Sequence, residues 1–402
     1  MGGIVIVGAG QAGSSLAEAL RAKGYEGEVT LIGAETDPPY ERPPLSKAYL
    51  MGEMERERLY LRPKAIYAEK GITLKLGEPV EHIDTAGKTV TIGGEKLSYD
   101  QLALTTGSVP NRLPARIGGD LQGVFTVRSL ADIDRMQPLF TRNARALVVG
   151  GGYIGLEAAA VAAKLGLQVV LVEMTKRILG RVAAPETADV IREAHKSHGV
   201  DIREGTGLDS LIGEDGRVTR AKLTDGTDLD VDFVIVGTGI RPDTRLAEEA
   251  GIACENGIVV DQFGQTSAEA VWSAGDCASF PYKGGMLRLE SVQNAIDQAQ
   301  AVAANMLGAE APYKPYPWFW SDQYDLKLQI AGLNTGYDRI VVRTTGAAVS
   351  HWYFKGDQLL AVDAVNAPRD YMVGKRLLEM GKTADPAAIE SPETELKLLL
   401  KS

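Results

Sequence analysis

Two glycine-rich turns, each between an apolar strand-like segment and a helix-like segment, constrain the fold of this chain more than any other feature. The first lies in IVIVGAGQAG at residues 4–13, and the second lies in LVVGGGYIGLE at residues 147–157. A strand, a glycine turn and a helix that lead into another strand form the βαβ unit of a doubly wound parallel sheet. The repeat therefore predicts two dinucleotide-binding domains.

The remaining segments extend this pattern. The predicted elements of the two units are strand 3–8, helix 12–23, strand 28–33, strand 145–150, helix 154–165 and strand 168–173. From Tyr313 onwards, short β-favouring runs are separated by glycines, which indicates a smaller α+β domain with a mostly antiparallel sheet. Residues 370–402 are predicted to be helical, with a turn near residues 382–385.

Composition excludes several classes of protein. A net charge of −10 argues against general nucleic-acid binding, and we find no apolar run long enough to span a bilayer. The strand-like run from Gly3 leaves no room for a secretory signal, and two cysteines, Cys254 and Cys277, are too few for a disulfide framework. These features favour a cytoplasmic protein. His195 and His198 are interpreted as a solvated helix surface, so no metal site is predicted.

The first glycine turn has the GxGxxG spacing, with Gly8, Gly10 and Gly13. The first glycine permits the tight turn, the second lets the backbone approach a pyrophosphate, and the third lets the helix pack closely on the strand. The helix then directs its free N-terminal amides at the phosphates. Glu35 follows the next strand and is the expected hydrogen-bond acceptor for an adenosine ribose.

The second turn repeats this arrangement with Gly150, Gly152 and Gly155, and Glu173 ends the following strand. Glu173 would bind the ribose 2′-hydroxyl of NADH and repel the 2′-phosphate of NADPH. Two basic residues at 176–177 follow closely and leave NADPH open, although they are also interpreted as a solvated helix start. We therefore expect NADH in one domain and, in the other, a flavin that accepts its hydride.

Further segments resemble a known architecture. TTGSVPN at 105–111, VIVGTGIRPDT at 234–244 and VWSAGDCA at 271–278 resemble the ATG turn, the returning strand and the GD turn of two-dinucleotide flavoproteins. Their order resembles the glutathione-reductase-like fold over the whole chain. PPYERPPLSKAYL at 38–50, LESVQNAIDQA at 289–299 and PWFWSDQ at 317–323 resemble the FAD-dependent ferredoxin reductases of bacterial oxygenase systems.

The resemblance implies an α/β fold with two Rossmann-like domains and a small α+β C-terminal domain. The implied domains are a discontinuous FAD-binding domain at 1–110 and 240–315, an NADH-binding domain at 111–239 and a C-terminal domain at 316–402. It also implies a reductase that oxidises NADH and passes single electrons to a small, acidic [2Fe–2S] ferredoxin in a transient complex. That ferredoxin would serve a cytochrome P450 or a dioxygenase, and neither nucleic acid nor membrane is an expected partner.

The family pattern assigns ligand residues one by one. Besides the glycines and Glu35, the FAD site is implied to contain Ala12, Arg42, Lys47, Val80, Thr106, Gly107, Arg128, Asp276 and Val292. Besides the second set of glycines, the NADH site is implied to contain Tyr153, Ile154, Glu173, Gly239 and Ile240. Asp276 is expected to bond the ribityl hydroxyls at a helix N-terminus, with the neighbouring Cys277 as a buried small hydrophobe.

Four residues are implied to act near the flavin. Lys47 stands in LSK, where peroxidases and oxidases of this architecture have a redox cysteine, so its ammonium would stabilise the charge of a reduced flavin. Glu157 is the expected ion-pair partner of Lys47, and Glu290 is expected near the nicotinamide. Trp320 is expected to shield the ring or to line the exit towards the partner, while Trp318 closes an aromatic cluster.

The docking face and the electron acceptor leave alternatives open. A basic face for an acidic partner is expected, with Lys283, Arg288, Lys327 and Arg339 as candidates against ordinary surface charges. Other acceptors are rubredoxin and a small molecule such as a quinone or a radical. A redox-sensing flavoprotein with slow turnover is the alternative from another class.

Overall fold

The computed structural model describes residues 3–401. Its strands in chain order are β1 (Ile4–Val7), β2 (Val29–Gly33), β3 (Ile72–Leu76), β4 (Val80–Asp84), β5 (Thr89–Ile92), β6 (Glu95–Ser98), β7 (Gln101–Leu104), β8 (Ser108–Pro110), β9 (Val124–Thr126), β10 (Arg145–Val149), β11 (Gln168–Glu173), β12 (Asp201–Glu204), β13 (Leu208–Glu214), β14 (Arg217–Leu223), β15 (Asp228–Asp230), β16 (Phe233–Val236), β17 (Ile240–Pro242), β18 (Ile258–Val259), β19 (Val271–Ser273), β20 (Ala278–Tyr282), β21 (Gly285–Leu287), β22 (Trp318–Gln323), β23 (Leu326–Gly332), β24 (Arg339–Thr345), β25 (Ala348–Lys355) and β26 (Gln358–Val365).

Its α-helices are α1 (Gln11–Ala22), α2 (Lys64–Glu69), α3 (Leu130–Met136), α4 (Tyr153–Lys164), α5 (Pro185–Ser197), α6 (Arg245–Glu249), α7 (Val292–Met306), α8 (Pro368–Glu379) and α9 (Pro386–Glu390). Short 3₁₀ turns occur at Pro43–Ser46, Arg56–Leu59, Ala115–Ile117, Gln137–Leu139 and Leu396–Leu400.

The chain folds into two compact units, each assembled from three separate segments. The first unit contains the described residues of Met1–Arg42, Met54–Val109 and Ile240–Pro315. The second unit contains the described residues of Pro43–Glu53, Pro110–Gly239 and Tyr316–Ser402. The chain therefore passes back and forth between the units, and the three-domain boundaries expected from the sequence remain a prediction.

The first unit is built on a parallel sheet with the strand order β19-β7-β1-β2-β3. Helix α1 packs against this sheet and against α7, and Leu16, Leu20 and Val302 belong to one apolar cluster. The strand–glycine turn–helix–strand prediction for residues 3–33 is confirmed. Near-continuous burial of β1 on both faces is what its unbroken apolar sequence favours.

The second unit repeats this design and adds an antiparallel sheet. Its parallel sheet has the order β12-β11-β10-β16-β9, and α4 follows β10 as predicted. The antiparallel sheet β22-β23-β26-β25-β24 carries α8 on one face, with Trp352 and Phe354 fully buried in the core between them. The α/β class with paired Rossmann-like folds and an α+β C-terminal portion is confirmed.

Residues 370–402 are less helical than predicted. Helix α8 ends at Glu379, and α9 contains only five residues. Gly381 has a φ of +64°, a left-handed conformation that ends a helix, and Pro386 starts the next one. The predicted helix before the turn is confirmed by α8, and the predicted turn near residues 382–385 is confirmed. After the turn, the helical prediction is wrong except for α9 and the 3₁₀ turn at Leu396–Leu400.

Candidate active site

In the first glycine turn, two glycines stand where the protein leaves no room for a side chain, and the third stands beside open space. Gly8 has a φ of +114°, and a Cβ there would lie 2.1 Å from the Thr105 carbonyl oxygen. A Cβ on Gly13 would lie 2.0 Å from the carbonyl oxygen of Gly8, whereas a Cβ on Gly10 would meet no heavy atom within 4 Å. Gly10 caps α1 without a side-chain hydrogen bond. The turn thus fits a pyrophosphate beside the helix amides.

Glu35 lies just beyond β2 and is held by two donors. Its Oε2 accepts from the Tyr40 hydroxyl at 2.5 Å, and its Oε1 accepts from Arg42 Nη2 at 2.6 Å. The structure therefore brings together Glu35 and Arg42, which were both assigned to the FAD site. Their contact with a ribose stays a prediction.

Asp276 lies close to the first glycine turn. A Cβ on Gly275 would lie 2.9 Å from the Cβ of Ala12, so the Asp276 turn packs against the first turn of α1. Asp276 Oδ2 accepts from Ser108 Oγ at 2.8 Å. The expectation of a helix N-terminus is wrong, because the Ala278 N–H closes a turn on the Gly275 carbonyl and the chain then enters β20.

The remaining FAD candidates of the first unit lie at element ends. Val80 begins β4 and is buried, and Val292 begins α7. Thr106 Oγ1 donates to the Asp243 carbonyl at 2.6 Å, and the Gly107 carbonyl accepts from the Asp243 N–H at 2.9 Å. These bonds fix the conformation of the TTG turn next to β7.

The second glycine turn copies the geometry of the first. A Cβ on Gly150 would lie 2.5 Å from the Gly237 carbonyl oxygen, and a Cβ on Gly155 would lie 2.2 Å from the Gly150 carbonyl oxygen. A Cβ on Gly152 would have no neighbour nearer than 4.0 Å. Gly152 caps α4 without a side-chain bond, so this turn also fits a pyrophosphate.

Glu173 is fixed at the mouth of this turn. Its Oε2 accepts from the Gly151 N–H at 2.8 Å, and its Oε1 accepts from the N–H and Oγ1 of Thr175 at 2.7 and 2.6 Å. The interpretation of residues 176–177 as a helix start is wrong. Arg177 Nη2 instead donates to the Ala183 carbonyl at 2.8 Å, within an irregular segment that precedes α5.

Two of the other NADH candidates begin α4, and a third, Gly239, follows β16. Tyr153 and Ile154 are its first two residues, and the Tyr153 ring lies 4.9 Å from that of Phe319. Ile154 is exposed, and the Tyr153 hydroxyl is buried with no hydrogen-bond partner among residues 3–401. Burial raises the pKa of that hydroxyl well above its ordinary value, so it stays protonated. Gly239 has a φ of +93°.

Three candidates lie in the unit opposite to the motif of their set, and one of them is Lys47, which was assigned to FAD but belongs to the second unit. Arg128 was assigned to FAD, but it belongs to the second unit, where its N–H donates to Asp132 Oδ2 at 3.2 Å. Ile240 was assigned to NADH, but it begins β17 in the first unit. None of the three is brought together with its set within one unit, and all three roles stay predictions.

The predicted Lys47–Glu157 ion pair is present in the second unit. Lys47 Nζ lies 2.7 Å from Glu157 Oε2, with side chains that are 19% and 6% exposed. Ser46 Oγ donates to the same oxygen at 2.7 Å, and Ser321 Oγ donates to Oε1 at 2.7 Å. Three donors therefore hold the carboxylate. Sequence reasoning missed both serines, although each lies in a segment that carried the family resemblance.

Arg288 contacts both Glu290 and the backbone of Asp276. Arg288 Nη1 lies 2.6 Å from Glu290 Oε1 and also donates to the Asp276 carbonyl at 3.1 Å. Arg288 is wrong as a docking residue, because its side chain is only 10% exposed and is used to hold this turn. Lys283, Lys327 and Arg339 stay predictions, as does the position of Glu290 near a nicotinamide.

Trp320 lies in an aromatic group on β22. Its ring is 5.5 Å from that of Trp318 and 6.4 Å from that of Phe319. The expected packing of Trp318 is confirmed, because it contacts the apolar core of the C-terminal portion and carries the Lys375 ammonium 4.9 Å from its ring centre. The role of Trp320 towards a flavin stays a prediction.

Neither cysteine has the properties of a redox thiol. Cys277 is fully buried, as predicted, and burial raises the pKa of its thiol. Burial also raises the pKa of Cys254 to about 11. Both sulfurs are therefore protonated at neutral pH, and a protonated thiol is a poor nucleophile.

The interpretation of His195 as a solvated residue is wrong, whereas His198 is exposed as expected. His195 is fully buried, and its Nε2 lies 2.8 Å from Gln323 Oε1. The apolar face of α5 packs inward, and that face includes His195.

A second buried network lies under the antiparallel sheet. Asp363 on β26 is fully buried, and it accepts hydrogen bonds from Tyr353 Oη and, at 2.9 Å, from Thr187 Oγ1. Burial raises the pKa of Asp363 from 3.8 to about 6. A carboxyl with a raised pKa contributes stability below pH of about 4, and this contribution is lost as the pH rises through about 6.

Asp363→Asn removes this titration. We expect the stability of the variant relative to the wild type to rise by about 1.4 kcal/mol between about pH 5 and about pH 7.5, because the wild-type carboxyl is mostly protonated at the lower pH and mostly ionised at the higher one. The measurement is Tm at both pH values. Asp357→Asn is the matched control, because that carboxylate is fully exposed in the turn between β25 and β26. An Asp363→Asn difference that is equal at both pH values contradicts the prediction.

Residues 3–401 contain no group of three or more histidine, cysteine, aspartate or glutamate side chains arranged to hold a metal ion. The helices within those residues are all too short or too polar to cross a membrane.

Comparison with known proteins gives consistent matches. The family model described as pyridine nucleotide-disulphide oxidoreductase matches residues 2–299, and the reductase C-terminal model matches residues 318–400. A ferredoxin–NAD(P)+ reductase from Sphingomonas sp. is 43% identical over 98% of this chain and 96% of its own length.

Two solved structures extend the comparison. A covalent putidaredoxin reductase–putidaredoxin complex matches with a TM-score of 0.96 at 38% identity, over 100% of this chain and 98% of that one. The ferredoxin reductase for the CYP199A2 system from Rhodopseudomonas palustris matches with a TM-score of 0.95 at 36% identity, over 99% of both chains.

Proposed function

Because this chain belongs to the pyridine nucleotide-disulphide oxidoreductase family and is similar along its whole length to ferredoxin reductases, we propose that it is an FAD-dependent NADH:ferredoxin oxidoreductase. It takes a hydride from NADH onto FAD and passes the electrons one at a time to a small, acidic [2Fe–2S] ferredoxin. That ferredoxin serves a cytochrome P450 or a dioxygenase. We place the reaction in the cytoplasm.

The observation that carries this proposal is a pair of dinucleotide turns in a chain without a reactive thiol. Gly10 and Gly152 each leave open space beside a helix N-terminus, which supports two bound dinucleotides. Cys254 and Cys277 both have thiol pKa values raised by burial. A route through a protein thiol is therefore disfavoured, and the electrons go to an external acceptor.

The residues of this chain bind and orient the two cofactors. FAD, when bound, supplies the chemistry that converts a two-electron hydride donor into two single-electron transfers. The amides after Gly10 and Gly152 hold pyrophosphates, Glu35 and Asp276 bind sugar or ribityl hydroxyls, and Glu173 binds the NADH ribose. Lys47, held by Glu157, places a positive charge in the FAD site, where it favours negative charge that develops during turnover.

The domain assignment follows from these roles. We assign residues 1–110 and 240–315 to FAD binding, 111–239 to NADH binding and 316–402 to the C-terminal domain. The order of the two glycine turns and the Asp276 turn along the chain supports this division.

A panel of electron acceptors tests the proposal. The purified holoenzyme is mixed with NADH, cytochrome c and, in separate assays, a set of [2Fe–2S] ferredoxins, a rubredoxin and a quinone. We expect at least one ferredoxin to support rapid cytochrome c reduction, well above the rate without it. Reduction only with rubredoxin or quinone would move the assignment to those acceptors. Slow turnover with every acceptor would favour the redox-sensing alternative.

Glu173 sets the preference for NADH over NADPH in this proposal. In Glu173→Gln, the amide oxygen still accepts from the Gly151 N–H, but the charge that repels a 2′-phosphate is gone. We expect kcat/KM for NADPH to rise about tenfold, equivalent to about 1.4 kcal/mol. Glu173→Ala also frees the Gly151 amide, so it should additionally lower kcat/KM for NADH. An unchanged preference in both variants would place the selectivity at Lys176 and Arg177.

A further inference from the structure

A chain of buried hydrogen bonds leads away from Glu157 through the second unit. Ser321 Oγ lies 2.7 Å from Glu157 Oε1, and Gln323 Nε2 lies 3.1 Å from Ser321 Oγ. His195 Nε2 lies 2.8 Å from Gln323 Oε1, and the Tyr324 hydroxyl lies 3.2 Å from His195 Nδ1. Glu157, Ser321, Gln323 and His195 are all at most 5% exposed.

The donor and the acceptor of every hydrogen bond in this row can be assigned by starting from Glu157. An ionised carboxylate only accepts, so Ser321 donates its one proton to Glu157 and must accept from the Gln323 amide nitrogen. The Gln323 oxygen then faces His195 and requires Nε2–H. A neutral imidazole with its proton on Nε2 has an acceptor at Nδ1, and the Tyr324 hydroxyl donates a hydrogen bond to that nitrogen. Each group therefore donates towards Glu157.

We infer that His195 is a positioning residue, which acts through Gln323 and Ser321 to hold the Glu157 carboxylate in its ion pair with Lys47. The inference rests on the proposed function, because it assigns a buried support to the cation of the FAD site. Hydrogen bonds aligned in one direction polarise one another, so the last donor in the row is stronger than an isolated serine hydroxyl.

Two further observations support a specific arrangement of these hydrogen-bonded side chains. Tyr324 occupies the β22–β23 turn with a φ of +55°, which is unfavourable for a residue with a side chain. Its ring is held there by His195 at 5.0 Å and by a stacked His198 at 3.7 Å. Burial lowers the pKa of His195 from 6.5 to about 4, so the imidazole is neutral at physiological pH, as the bond directions require.

Nuclear magnetic resonance of the wild-type holoenzyme labelled with ¹⁵N-histidine tests the first step. The long-range ring spectrum is expected to show one neutral imidazole with its proton on Nε2, unchanged between about pH 6 and about pH 8. That signal should be lost in His195→Gln. A proton on Nδ1, or a titration of this ring near its ordinary pKa, overturns the inference without any variant having to fold.

Variants test the transmission to Glu157. His195→Leu removes the donor, whereas His195→Gln keeps an N–H that can reach Gln323. We expect NADH oxidation to slow about threefold to tenfold in His195→Leu, together with a lower Tm, and to recover in His195→Gln. Lys196→Leu is the matched control, because this half-exposed residue follows His195 on the same helix and makes none of these hydrogen bonds. Ser321→Ala removes the single hydroxyl that links Gln323 to Glu157. It should therefore slow NADH oxidation and lower Tm as His195→Leu does.

The decisive comparison is a double-mutant cycle with Glu157→Gln. His195 and Glu157 are not hydrogen-bonded to each other, so independent structural roles predict additive losses of Tm and of rate. Transmission through the chain predicts that His195→Leu has little further effect once Glu157 is neutral. Additive losses, or no recovery in His195→Gln, overturn the inference. The Tm cycle and the ring spectrum need no ferredoxin, so they separate this failure from a failure of the proposed function.

Discussion

Gly10→Ala is expected to give a folded protein that has lost most of its FAD. A Cβ at this position meets no protein atom within 4 Å, so the substitution adds no clash inside the chain. The same Cβ would occupy the space through which the backbone approaches a pyrophosphate. We expect the affinity for FAD to fall on the order of tenfold or more. The measurement is the flavin-to-protein absorbance ratio after purification, with the far-ultraviolet circular dichroism of the same sample.

Gly13→Ala is the contrasting variant in the same turn. Its Cβ would lie 2.0 Å from the Gly8 carbonyl oxygen, so this variant should lose stability before cofactor binding is considered. The prediction for Gly10 is wrong if Gly10→Ala is as yellow as the wild type, or if it unfolds like Gly13→Ala. Gly152→Ala should repeat the separation at the second turn, with FAD retained and NADH affinity reduced.

Glu157→Gln is expected to destabilise the protein strongly, and a second substitution should restore it. The neutral amide still offers one acceptor oxygen, but it leaves the Lys47 ammonium, whose side chain is 19% exposed, without a compensating negative charge. Removal of one partner from a largely buried ion pair typically costs about 3–5 kcal/mol, and partial exposure places this pair near the lower value. Chemical denaturation of the holoenzyme measures the loss.

The restoring substitution is Lys47→Met in the Glu157→Gln background. A neutral pair of similar volume removes the uncompensated charge, so most of the lost stability should return. The rate of NADH oxidation should not return, because no cation is left in the FAD site. Recovery of both quantities would show that the pair is only structural. Recovery of neither would mean that packing rather than charge governs this position.

The parts of the fold set by local chemistry were predictable from sequence. The glycine turns between strands and helices identified both βαβ units, because Gly8, Gly13, Gly150 and Gly155 occupy positions where a side chain would collide with backbone. The Lys47–Glu157 pair was found only through the family resemblance, since the two residues are 110 positions apart. Ser46 was missed although it precedes Lys47 directly.

Other parts of the site depend on contacts that no local pattern encodes. His195 has the sequence surroundings of a surface histidine, but it is buried and its hydrogen-bond partner Gln323 lies 128 positions later. Ser321 reaches Glu157 from 164 positions away, on a strand whose apolar neighbours gave no sign of a polar contact. Asp276 was expected at a helix start because its motif was recognised, but the backbone after Gly275 turns into a strand instead.

The interleaved course of the chain has a consequence for biosynthesis. Each unit needs three separate segments, and the second unit lacks its last segment until residues after Tyr316 have been made. On the ribosome, the parallel sheet of the first unit also lacks β19 until Ser273 has been made, and an exposed unfinished sheet favours aggregation and chaperone capture. Nascent chains released early should be rapidly degraded, so that nearly all of the accumulated enzyme is full length.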